Sequence, residues 1–134
     1  MIYIMARSRK PTDAELAILR VLWAHGPSTV REVHEAISND KSVAYTTTLK
    51  TLQVMAEKGL TDREEQRGQH LHRARFAEED TLHGLVVDLM DRAFGGSTSK
   101  LVIQALTSRR ATPEELREIR KLLSEQGASK RKDE

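Results

Sequence analysis

Apolar residues recur along this chain at two different periods, and the change of period organises it. Between Thr12 and His25, Leu16, Leu19, Leu22 and Trp23 fall at three- and four-residue steps, the spacing of one helical face. Thr12 with Glu15 forms a capping box at the start, and His25-Gly26-Pro27 stops the helix. Trp23 sits at helical spacing and so belongs to a core. A second helix is expected over residues 30–38. Thr29 and Glu32 make a second capping box, Val33 and Ile37 face inward, and Val30 and Ala36 flank them. After the loop at 39–42, residues 44–59 predict a third helix. Its inward stripe is Tyr45, Leu49 or Thr48, Leu52 and Met55, and Lys58-Gly59 closes it with a cation and a left-handed cap. The period then drops to two. Residues 60–66 and 70–76 read as extended arms around Arg67-Gly68-Gln69, with Leu71 alternating with His70 and His72.

Beyond Phe76 the helical period returns. Leu82, Leu85, Val86, Leu89, Ala93 and Phe94 mark a long apolar face that Gly95-Gly96 ends. Ser97 begins a helix carrying Leu101, Val102, Ala105 and Leu106. Thr112-Pro113-Glu114-Glu115 begins another carrying Leu116, Ile119, Leu122 and Leu123. The fold class expected is mainly α with a small β-hairpin: an N-terminal winged helix-turn-helix over residues 10–76, since three helices followed by a hairpin is that order, and a helical domain over 77–126. Three short amphipathic helices bury their faces poorly alone, so 77–126 reads as a dimerisation domain using Leu82, Leu85, Leu89, Phe94, Leu116, Ile119 and Leu123. Residues 127–134 read as a charged, disordered tail.

The polar face of the third helix carries the candidate chemistry. Thr46, Thr47, Lys50 and Gln53 are short or flexible hydrogen-bonding side chains with one cation, and no carboxylate interrupts them before Glu57. A DNA major groove presents donors, acceptors, methyl groups and phosphates that such a face meets. The expected DNA-binding set is Thr46, Thr47, Lys50 and Gln53 with Tyr45, Ser42 and the hairpin cations Arg63 and Arg67. His70, Arg73 and Arg75 stand in the same hairpin, as do Glu64 and Glu65, which repel phosphate. Arg7, Arg9 and Lys10 form a basic arm before the first helix, either on phosphates or solvated. The partners expected are double-stranded DNA and a second copy of the chain, whose twofold symmetry asks for a palindromic operator.

Composition narrows this without deciding it. Net charge is +2, with 12 basic and 9 acidic residues in 1–76 against 10 and 11 in 77–134. That contrast alone does not identify a nucleic-acid binder. Zero cysteines exclude disulfides, thiolate metal sites and a cysteine nucleophile. The apolar stretch Met1 to Ala6 is too short for a secretory segment and no later run approaches a membrane span, so a cytoplasmic protein is expected. No phosphate loop, zinc-hydrolase motif or nucleophile elbow occurs, so the chain reads as a non-enzyme without a cofactor. Two alternatives stay open. One is a winged helix used for protein contacts, suggested by the near-neutral charge and acidic hairpin. The other is a metal- or ligand-responsive regulator using His70 and His72, with Asp62, Glu64 or His83 nearby.

Taken together, Thr12-x-x-Glu15 with Ile18, Leu19 and Leu22-Trp23, the run from Tyr45 to Leu52, Glu57-Lys58-Gly59-Leu60, Gly95-Gly96 and Thr112-Pro113-Glu114-Glu115-Leu116 resemble the penicillinase-repressor family, the BlaI/MecI group with its copper-sensing CopY relatives. The resemblance covers about residues 10–125. It implies a homodimeric winged-helix repressor of resistance or stress genes, relieved through a BlaR-type membrane metallopeptidase sensor and repressor cleavage. The chain departs from that family's pattern at four places. Val54 stands where an arginine is frequent, and Glu64 and Glu65 replace a more basic wing. The scissile Asn-Phe pair falls on Gln104-Ala105, which marks the cleavage region the resemblance implies. The cysteine cluster of the copper-sensing branch is absent.

Overall fold

The computed structural model describes residues 10–39 and 42–133. Among the described residues six helices and one hairpin follow in order: α1 (Asp13–His25), α2 (Val30–Ser38), α3 (Tyr45–Lys58), β1 (Thr61–Gln66), β2 (Gln69–Ala74), α4 (Glu78–Ala93), α5 (Thr98–Ser108) and α6 (Pro113–Asp133). The molecule is mostly helical with a two-stranded antiparallel hairpin, as a winged helix followed by further helices requires. Arg7 and Arg9 of the expected basic arm, and Asp40-Lys41 of the loop before α3, lie outside the described residues. The chain divides into two compact units, Met1–Leu89 and Met90–Glu134.

The first unit owns the core. Ile18, Leu19 and Leu22 of α1, Val33 of α2, Leu52 and Met55 of α3, and Leu60 form one buried cluster, with Val21, Trp23, Val30, Ile37 and Ala74 packed around it. Both expected capping boxes close: Glu15 and Thr12 bond each other's backbone amides at 2.9 and 3.2 Å, and Glu32 and Thr29 do so at 3.0 and 3.1 Å. Gly59, at φ 80° and ψ 19°, ends α3 in the left-handed cap that its position calls for, and the Leu60 amide reaches back to the Met55 carbonyl at 2.9 Å.

Two stripes differ from the sequence expectation. On α1, Ile18 takes the buried place assigned to Leu16, which is half-buried. On α3, Thr48, Leu52 and Met55 are buried, while Tyr45 and Leu49 are 46% and 37% exposed. Of the two residues offered for this place, Thr48 rather than Leu49 takes it, and its hydroxyl has a hydrogen-bond partner there.

The hairpin pairs Thr61 with Ala74 through to Gln66 with Gln69. Arg67 at φ 53° and Gly68 at φ 78° form its two-residue turn, both residues in the left-handed region that matches the strand twist. Ser28, just before the Thr29 cap, makes an antiparallel bridge to His72, its amide donating at 2.9 Å and its carbonyl accepting at 2.8 Å. The wing is thereby stitched to the α1–α2 connection. Trp23 adds a bond from its indole N–H to the Phe76 carbonyl at 3.1 Å. α4 turns Thr81, Gly84 and Asp88 inward within this unit, leaving Leu82, Val86 and Leu89 exposed.

In the second unit Gly96 closes α4 with a bond to the Met90 carbonyl, Ser97 caps α5, and Thr112 with Glu115 caps α6 in a third capping box. Among its described residues none is buried. Val102, Ile103, Leu106, Leu122 and Leu123 are all exposed. The helix of α6 runs on to Asp133, past Gly127, where a disordered tail was expected to begin.

Candidate nucleic-acid interface

α3 is held by its inner face and offers its outer one. Leu52 and Met55 are fully buried, and Thr48 is buried with them. Tyr45, Thr46, Thr47, Leu49, Lys50 and Gln53 are exposed, and so is Ser42 just before the helix. Every residue assigned from sequence to the groove-facing set of this helix is therefore accessible, and Leu49 joins them. Val54, by contrast, is half-buried. Thr51 turns its hydroxyl onto the Thr47 carbonyl at 2.8 Å and takes itself out of the outward set.

The helix starts without a side-chain cap, since Ala44 is its N-cap residue. The Thr47 and Thr48 amides bond the Ala44 carbonyl at 3.0 and 3.2 Å, which leaves the amides ahead of them directed out of the helix end. An uncapped N-terminus beside exposed hydroxyls and Lys50 has the polarity that a phosphate needs. The far end of the helix is locked. Lys58 donates to both carboxylate oxygens of Glu15 on α1, at 2.8 and 3.1 Å. Burial pushes the Glu15 carboxyl upward. The bonds from Lys58 and from Thr12 outweigh it and hold the group below its ordinary value, as a carboxylate.

The wing carries fewer free cations than its sequence suggests. Arg63, Arg67 and Arg73 are exposed. Arg75 is engaged by Asp62 through two bonds of 2.6 and 3.0 Å, which depress the Asp62 carboxyl and raise Arg75. Glu64 and Glu65 are exposed on the same hairpin, Glu65 opposite His70. Lys10 of the expected basic arm bonds Asp88 at 3.2 Å instead of standing free.

The two wing histidines part company. His70 is exposed; His72 is 5% exposed beneath the hairpin. Burial, then the charges of Arg63 and His70, lower the His72 pKa and keep its ring neutral. Its Nδ1 and the hydroxyl of Thr61 are buried without a hydrogen-bond partner. Among the described residues no group of three or more His, Cys, Asp or Glu side chains gathers as a metal site would require.

Sequence reasoning missed Glu15 as a buried anchor, although Thr12-x-x-Glu15 flagged it as a cap. It also missed His34, which bonds Thr48, and the Ser28–His72 bridge, for which no local signal exists. Gln104 and Ala105 lie exposed on α5, with Gln104 donating to Ser108 at 3.1 Å. Leu85, Phe94, Leu116 and Ile119 of the expected dimerisation set are half-buried, and Leu82, Leu89 and Leu123 are exposed. Among the described residues no helix is long and apolar enough to cross a membrane.

Residues 11–125 match the family model described as penicillinase repressor. The chain is 34% identical over 90 residues to the transcriptional regulator BlaI of Mycobacterium tuberculosis, in strains CDC 1551 / Oshkosh and ATCC 25618 / H37Rv, a stretch covering 66% of this chain and 65% of the relative's length. It is 22% identical over 114 residues to the penicillinase repressor of Bacillus licheniformis, covering 85% of this chain and 89% of that protein.

Proposed function

The chain belongs to the penicillinase repressor family, and on that premise we propose that it is a transcriptional repressor that binds double-stranded DNA through α3 as a homodimer. The family is one of repressors rather than enzymes. The observation that carries the reading is the two-sidedness of α3. Its inner face is sealed by Thr48, Leu52 and Met55, while Tyr45, Thr46, Thr47, Lys50 and Gln53 stand exposed together beside an uncapped helix start. Thr46, Thr47 and Gln53 address base edges, and Lys50, Ser42, Tyr45 and the wing's Arg63 and Arg67 address the backbone.

Dimerisation through residues 77–126 is supported by the apolar side chains that α4, α5 and α6 leave uncovered, Leu82, Leu89 and Leu123 among them. A twofold dimer places its two α3 helices on half-sites one or more DNA turns apart, hence on a palindromic operator. Relief of repression through a BlaR-type membrane metallopeptidase, with cleavage near Gln104-Ala105, completes the reading. Both residues are exposed, on a helix without a buried residue.

The test uses a duplex selected from a random pool. Lys50→Ala is expected to weaken binding and reduce the slope of log affinity against log salt by about one. Thr46, Thr47 and Gln53 substitutions change which sequences are preferred. Binding that ignores salt, or no retained duplex at low salt, refutes DNA recognition. The latter outcome favours a protein-contact module, for which the exposed Glu64 and Glu65 on the wing speak.

A further inference from the structure

The first turn of α3 is built differently from those of helices that begin on a threonine or serine. Thr12, Thr29, Ser97 and Thr112 each accept a bond from the amide three residues on. Ala44 has no such group. What holds the turn comes from α2. The half-buried His34 shares a 3.0 Å hydrogen bond between its Nδ1 and the hydroxyl of Thr48, a side chain 1% exposed. The same imidazole meets the Tyr45 ring edge-on, centroids 5.4 Å apart at 77°. Tyr45 and Thr48 are three residues apart and so stand on one side of the turn. One ring grips both. Its neighbour Val33 is fully buried and fixes α2 against the core.

We propose that His34 is a positioning residue for DNA binding: it fixes the rotation of the first turn of α3 from behind, without touching the duplex. This rests on the reading of α3 as the groove-entering helix. A side-chain cap would spend one of the leading amides of α3 inside the protein. A grip from α2 orders the turn and leaves the amides of Tyr45 and Thr46 for a phosphate. Loss of the grip lets the turn fray and misaim Thr46 and Thr47, which lie on the other side of it.

The experiment measures affinity for a duplex selected from a random pool by the wild-type protein, together with urea midpoints and amide hydrogen exchange of the DNA-free protein. Binding is read where every variant is folded. His34→Ala is expected to weaken binding by about tenfold and to speed exchange at the Thr47 and Thr48 amides. His34→Gln keeps a bond to Thr48 and recovers most of the affinity. Thr48→Val weakens binding by a similar factor and adds little in the His34→Ala background. Should His34→Ala fail to fold, His34→Gln near wild type with Thr48→Val weakened supports the inference, and the reverse order overturns it. Wild-type affinity in His34→Ala, no recovery in His34→Gln, or fully additive losses overturn the inference alone. A wild-type protein that selects no duplex overturns the reading of α3 and the inference with it.

Discussion

Replacing Lys58 by Met tests whether the far end of α3 is locked to α1 by charge. The substitution keeps an unbranched stem and removes the ammonium. Glu15, with a side chain only 4% exposed, then loses bonds of 2.8 and 3.1 Å and keeps the 2.9 Å bond from the Thr12 amide. A hydrogen bond to a charged group contributes about 1.5–3 kcal/mol, and because the Lys58 side chain is 39% exposed to screening solvent, the lower end applies, about 1.5 kcal/mol. Urea unfolding at pH 7 and fixed protein concentration should show this as a midpoint lowered by roughly 1 M. The folded pKa of Glu15 lies below the ordinary 4.5. Its contribution is therefore complete above about 4.5 and disappears as pH falls through the lowered value, so the gap between wild type and variant should narrow over that fall. Glu15→Gln should destabilise at pH 7, and the double variant should fall short of the sum of the singles by about 1 kcal/mol. A gap that does not narrow as the pH is lowered below 4.5, or singles that add within about 0.3 kcal/mol, refutes the reasoning.

Three further outcomes follow from the same geometry. His72 has a lowered folded pKa, so its neutral ring favours the fold fully above about 6.5 and progressively less as pH falls below it; urea midpoints at pH 7.5 and 5.5 should differ in the wild type and much less in His72→Leu. Gly68 occupies a left-handed turn position with open space around it, so Gly68→Val should cost about 1–2 kcal/mol through backbone strain alone, read by thermal unfolding, whereas Arg67→Asn at the neighbouring left-handed position should be neutral or stabilising. Leu89→Asp with Leu123→Asp should shift sedimentation equilibrium toward the monomer while leaving the helical circular dichroism in place; an unchanged mass refutes the assignment of these two residues to dimerisation.

Element order and type were legible because local signals agreed with one another. Thr12 with Glu15, Thr29 with Glu32 and Thr112 with Glu115 close as capping boxes, and Gly59 and Gly68 take the backbone angles their positions call for. Side-chain destinations were less legible. Spacing specifies which residues share a face but not which of two adjacent residues wins the core, and on α3 Thr48 took the inner place because His34, distant in sequence, supplies its partner. Ser28 and His72, likewise distant in sequence, have no short-range signature either. Further differences concern apolar groups left in solvent, among them Tyr45 and Leu49 on α3 and Leu82, Val86 and Leu89 on α4. Periodicity marks these as buried, and within a single chain they are not. Exposed apolar side chains on regularly patterned helices are what a chain retains for surfaces completed by something else. For Leu82 and Leu89 that something is, on the present reading, a second copy. For Leu49, beside Thr46 and Lys50, the same reading puts a base edge there, since an apolar side chain can meet a thymine methyl group. These exposed apolar residues therefore coincide with the two surfaces at which the proposed function puts a partner.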